Sequence, residues 1–280
     1  MNMMFSDAHC HVNPVKGMGA AKIGERFRKS GGWFIGLVYL PPWHFGLDGG
    51  LSAYEKCFNI LVESKRRIKE KGLECILFLG FHPTEVDWYA RRGMKLDEIK
   101  RLGQKVIDLV AQYINNGLAE GIGEVGRQHY PTSPRYLSIA EEVTLYALER
   151  AADLNVPVHL HLEQKGLLTL NWVLKIINET GVKKDKVIIH HIDPSLLHHV
   201  IEKGLWSTVL ASKRTLRDAV KNPPYYLIES DFLDDPNRPR AVIVPWSIPR
   251  AWAHVLSKQL CTEEYVQKIN VDNVKKVYEI

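Results

Sequence analysis

Near the start of the chain, FSDAHCHVNP (residues 5–14) sets His9 and His11 one residue apart. In an extended strand, side chains two apart share a face, so both imidazoles can grip a single cation. The same pair also suits two polar residues at the point where a strand meets solvent, and the neighbouring residues do not decide between these. Asp7 shares their face, either orienting a ligand histidine or serving as a turn residue.

Other groups further along offer matching chemistry. Glu124 lies in the apolar, glycine-flanked AEGIGEVG, where an unpaired carboxylate is costly to bury. A cation must face it: a lysine or arginine, or a pair of metal ions that it bridges. VPVHLHLEQ holds a second alternating pair, in which one of His159 and His161 can ligate while the other is hydrogen-bonded below it. VIIHHIDP places His190 and His191 side by side, on opposite faces of a strand, so only one of them would enter the interior. YYLIESDF ends with Glu229 and Asp231 on one face. Asp231 there can bind an ion and take a proton from its water, or simply be a solvated strand end. His198 and His199 fall in a helix after Pro194 and are given no role.

Such residues need elements that bring them together. Eight short apolar runs, at 5–9, 33–40, 73–81, 119–125, 156–162, 186–192, 205–211 and 225–232, alternate with segments of helical period. The segment at 52–72 opens with a Ser52 to Glu55 capping box and stops at Gly72. The segment at 95–117 places Ile99, Leu102, Val106, Val110 and Tyr113 on one face. This pattern predicts a (β/α)8 TIM barrel as a single domain over residues 1–280, with extra helix after the eighth strand. The histidines then lie at the strand ends where such barrels carry chemistry, and the irregular stretches 40–50 and 126–135 lie at the mouth. The net charge of +5 (37 Lys and Arg against 32 Asp and Glu) suits an anionic substrate but lacks a nucleic-acid binder's basic stripe. Four scattered cysteines, no leader pattern and no long apolar run point to a reduced, cytoplasmic protein that crosses no membrane.

Taken together, DAHCHVNP, LGFHPTEV, GIGEVG, VPVHLH, VIIH, LIESD and INVDNVKKVY resemble, in order and spacing, the TatD-like metal-dependent hydrolases of the amidohydrolase superfamily. The resemblance runs nearly the full length. It implies His161 rather than His159, and His190 rather than His191, as ligands. It also implies two divalent ions, zinc foremost with magnesium or manganese as alternatives. Glu124 would bridge them, with His9, His11 and Asp231 on one and His161 and His190 on the other. His82 would contact the scissile phosphate of DNA or another phosphodiester.

Three departures from the family pattern stand out: Thr84 where a histidine is usual, Leu162-Glu163-Gln164 where a basic residue is usual, and Arg127-Gln128 after the G-E-x-G. Glu163 sits badly beside a phosphate, whereas Arg127 would supply a phosphate contact from another direction. The reading is therefore a deoxyribonuclease or phosphodiesterase in which Asp231 takes the proton of a metal-activated water. One alternative is an amidohydrolase acting on an amide, lactone or ester; another is a non-catalytic nucleic-acid-binding barrel using Trp43, Trp88 and Trp246 as stacking faces.

Overall fold

A computed structural model of the chain describes residues 3–238 and 242–280. In chain order the elements are β1 (Phe5–His11), α1 (Ala20–Lys29), β2 (Gly32–Val38), α2 (Leu51–Lys69), β3 (Glu74–Leu79), α3 (Thr84–Arg91), α4 (Leu96–Asn115) and β4 (Gly121–Gly126). There follow α5 (Pro134–Leu154), β5 (Val158–His161), α6 (Leu167–Thr180), β6 (Val187–Ile189), α7 (Leu197–Glu202), β7 (Trp206–Leu210), α8 (Lys213–Ala219), β8 (Leu227–Glu229) and β9 (Phe232–Leu233). The chain ends with α9 (Ile248–Ser257), α10 (Glu263–Gln267), a π-helical turn (Lys268–Asp272) and α11 (Asn273–Tyr278).

Every strand pairing is parallel, in the order β8-β7-β6-β5-β4-β3-β2-β1-β9. Strands of a parallel sheet are covered on both faces, which explains the continuous apolar run of β2 and β3. The expected eighth strand is broken in two. β8 pairs with β7, the chain turns at Ser230 and Asp231, and β9 pairs with β1 through Cys10 and His11. Asp231 has φ 49°, in the left-handed region, and its N–H donates to the His9 carbonyl oxygen at 3.0 Å. The ring is closed there, so the nine ladder segments amount to the eight strands of a (β/α)8 TIM barrel.

Most of the core lies between strands and helices, where Phe58, Leu61 and Ile68 of α2 and Val106, Ile107 and Val110 of α4 are buried. A second cluster, with Phe34, Phe78, Ile188, Trp206 and Leu227, plugs the floor of the barrel and is closed by Val274, Val277 and Tyr278 of α11. The Ser52–Glu55 capping box does not form: α2 begins one residue earlier, at Leu51 after Gly50, with no side-chain cap. Leu102 is only partly buried; Gly103 takes its place on the inner face of α4 because Val143 of α5 packs against it too closely to admit a side chain. The four cysteines are free. No described helix is long and apolar enough to cross a membrane.

Candidate metal centre

At the C-terminal ends of the strands lies a cavity of about 330 Å³. His11, His82, Glu124, His161, His190 and Asp231 line it, and His9 stands fully buried beneath. The loops after β2 and β4 supply Pro41, His44 and His129, as expected for stretches at the mouth.

Local geometry decides which nitrogen of each ring faces the cavity. The His11 Nδ1 lies 3.1 Å from the carbonyl oxygens of Val38 and Tyr39, which can only accept, so Nδ1 carries the proton and Nε2 offers a lone pair. The His190 Nδ1 donates in the same way to Glu229 at 2.8 Å, again freeing Nε2. His9 Nε2 and His11 Nε2 sit 3.1 Å apart, a separation that two nitrogen ligands about 2.0–2.1 Å from one zinc ion can adopt.

Glu124 is buried, and all its ion-pair partners are histidines: His9 at 3.6 Å, His11 at 3.5 Å, His82 at 3.9 Å, His161 at 2.8 Å and His190 at 3.8 Å. Among the described residues no lysine or arginine reaches it. Burial pushes its carboxyl up, but His9 and His161 outweigh this and hold it well below the usual carboxylate range. The glycines around it let β4 press against β5: a side chain at Gly126, whose φ is 144°, would collide with the His161 carbonyl.

Burial also disfavours the His190 cation, yet Glu229, Glu124 and Asp231 raise it to about 10. Three carboxylates crowded around one imidazole make a basin that favours a cation. Among the described residues, donor atoms within 4.8 Å of one another form the groups His9–His11–Glu124, His9–His190–Asp231, His82–Glu124–His161 and His190–His191–Glu229. Divalent ions with N and O ligands fit this donor set. The grouping differs from the expected division in one respect: His190 falls with His9 and Asp231, while His161 falls with Glu124 and His82.

His82 nonetheless has the wrong proton for a ligand. The Thr84 N–H donates to its Nδ1 at 3.1 Å, so that nitrogen is bare and the proton sits on Nε2, facing Glu124. Burial, aided by His161, drives its pKa well below 6.5. His82 is therefore a neutral donor aimed into the cavity.

Several residues behave differently from the sequence expectation. His190 and His191 do not face opposite sides: β6 ends at Ile189, His191 has φ 56°, and its Nδ1 swings back to within 3.3 Å of Glu229 and 3.5 Å of Asp231. Asp7 does not reach a histidine ring, although its Oδ1 accepts from the His9 backbone N–H at 3.3 Å. Its Oδ2 accepts from Ser230 Oγ at 2.5 Å and its Oδ1 from Ser230 N at 2.8 Å, tying β1 to β8. Arg127 does not line the cavity. Its guanidinium pairs with Glu163 at 3.1 Å and Glu141 at 3.5 Å and lies over Trp172 at 4.7 Å. That ion pair also matches the charge of Glu163, which is buried and does not line the cavity. Trp43 stacks on Trp88 at 4.8 Å, with Arg92 over Trp88 at 3.6 Å, and Trp246 packs against Phe232 and Arg26.

Two cavity residues had no sequence signal strong enough to single them out. His129 has its Nδ1 2.6 Å from His161 Nε2, and His44 reaches the rim from the loop after β2. Both sit in irregular segments without strand alternation to mark them.

The closed barrel and the basin of histidines and carboxylates at its mouth define the class, a TIM barrel with donor groups placed to hold metal ions. The profile of the family described as TatD related DNase matches residues 6–279, and the chain belongs to that family. An uncharacterized protein of Methanocaldococcus jannaschii is 30% identical over 98% of this chain and 95% of its own. Among solved structures, a TatD homolog from Escherichia coli superposes with a TM-score of 0.68 at 14% identity, covering 100% of both chains. The phosphotriesterase homology protein from E. coli, complexed with phosphate in its active site, gives 0.66 at 12% identity over 99% of each. At those identities the structural likeness is one of fold.

Proposed function

We infer that this protein is a metal-dependent phosphodiester hydrolase with DNA or a smaller phosphodiester as substrate. The observation that carries the reading is the convergence of His9, His11, Glu124, His161, His190 and Asp231, drawn from β1, β4 and β5 and from the ends of β6 and β8, on one small basin. Together these six residues would hold two divalent ions, zinc first among them, whose chemistry is to lower the pKa of water toward about 7 and polarise the scissile bond.

The remaining chemistry belongs to the chain. Asp231, held ionised by His191 and its histidine neighbours against the cost of burial, accepts the proton of the attacking water. The Nε2–H of His82 donates to a phosphoryl oxygen, and because the ring is neutral it can do so without a competing proton equilibrium near pH 7. The cavity lies at the low end of the range of about 300–1,000 Å³ common for small ligands, room for one phosphodiester unit.

The test is a screen of metal-loaded protein against single-stranded DNA, bis-p-nitrophenyl phosphate and a lactone. Turnover of the phosphodiesters, falling by at least about 10²-fold in Asp231→Asn, supports the reading. Turnover of the lactone alone would move the protein to carbonyl chemistry, and cleavage unchanged in Asp231→Asn would remove that carboxylate from the mechanism.

A further inference from the structure

Each ligand imidazole needs a partner on its other nitrogen to fix which nitrogen is bare. His11 has two carbonyl oxygens and His190 has Glu229. For His9 the partner is another histidine: His9 Nδ1 lies 3.1 Å from His159 Nδ1, and His159 Nε2 lies 3.2 Å from the Tyr278 hydroxyl. His9 and His159 are fully buried and Tyr278 is 8% exposed. At 3.1 Å the two facing Nδ1 atoms share one hydrogen bond, so one nitrogen must donate and the other accept.

We propose that His159 and Tyr278 are positioning residues that set the tautomer of His9, so that the C-terminal helix governs metal binding from the floor of the barrel. For His9 to present a bare Nε2, its proton must sit on Nδ1 and point at His159 Nδ1. That leaves the His159 proton on Nε2, where the Tyr278 oxygen accepts it. The three groups permit one arrangement of protons when His9 ligates, and the chain of contacts spans from α11 to the cavity. His159 is held for this task, with its ring 4.3 Å from Phe78 and the Tyr278 ring stacked at 5.2 Å on Phe34.

This inference rests on the metal centre proposed above, and the experiment separates the two. Zinc affinity is measured by chelator competition in the full chain, and imidazole tautomers are read by long-range ¹⁵N–¹H NMR of the zinc-loaded protein. In the wild type, His159 is expected to carry its proton on Nε2. His159→Phe is expected to weaken zinc binding by about 10- to 100-fold. His159→Gln, whose amide can accept the His9 proton, recovers part of that loss. Tyr278→Phe keeps the stacked ring and so the fold, and it weakens zinc binding by a smaller factor. Normal affinity in both His159→Phe and Tyr278→Phe, or an Nδ1 proton on His159 in the loaded protein, overturns the relay and leaves the metal centre standing. A wild type that takes up no divalent ion overturns both.

Discussion

At the scale of single residues, the helix entry after β3 is governed by a buried carboxyl. Glu85 accepts from Tyr54 at 2.5 Å, from Tyr39 at 3.0 Å and from the His82 N–H at 2.6 Å, and so fixes the turn that aims His82 into the cavity. Burial, partly offset by those donors, raises its pKa from 4.5 to about 8. The folded chain therefore keeps a proton that the unfolded chain releases from about pH 4.5 upward. The contribution of Glu85 to stability is full below that pH and is lost as pH rises to about 8, at up to about 1.4 kcal/mol per unit. Urea unfolding at pH 5 and pH 8 should show Glu85→Gln flattening this loss; an unchanged gap would mean that Glu85 is ionised in the folded protein. The H-x-H pairs were readable in the sequence because alternation alone sets them on one face. The bare Nδ1 of His82 was not readable, because it depends on one backbone N–H from Thr84.

At the scale of elements, strands β1 to β7 follow the apolar runs of the sequence closely, since burial on both faces leaves a plain compositional mark. What escaped notice are the places where the backbone leaves the strand. His191 and Asp231 both have positive φ; the His191 ring turns toward the basin where alternation would send it away, while Asp231 faces the basin as expected but from a turn and not from a strand. Arg127 was misplaced for a related reason, as its partners Glu163, Glu141 and Trp172 come from other elements and only folding brings them near. The closing helix α11 is anchored by Asn273, whose side-chain N–H groups donate to the carbonyls of Pro224 at 3.1 Å and Tyr226 at 2.9 Å. Asn273→Ala leaves two carbonyls without these donors and is expected to cost about 1–3 kcal/mol, measured by chemical denaturation. A loss below about 0.5 kcal/mol would show that the helix is held by packing alone.

At the scale of the whole molecule, the proposed ligands come from β1, β4 and β5 and from the turns after β6 and β8, so a bound ion would join segments on opposite sides of the ring. Binding to the folded chain alone adds about 2.7 kcal/mol at a hundredfold excess over Kd, or about 5–10 °C in Tm for a chain of this size. Zinc added to chelator-stripped protein should raise Tm by that amount, and should do so far less in His9→Ala. An equal rise in both would place the ion elsewhere.

The seam of the barrel has a practical consequence. The last two-residue strand is the lightest stitch in the ring, and the residue just before it is the carboxylate proposed to take the proton. Unpicking that stitch would scatter the reactive groups while the other seven staves still stood together. Under rising denaturant, activity should fade at lower concentrations than the far-ultraviolet circular dichroism signal does, and coincident curves would show that the hoop fails all at once.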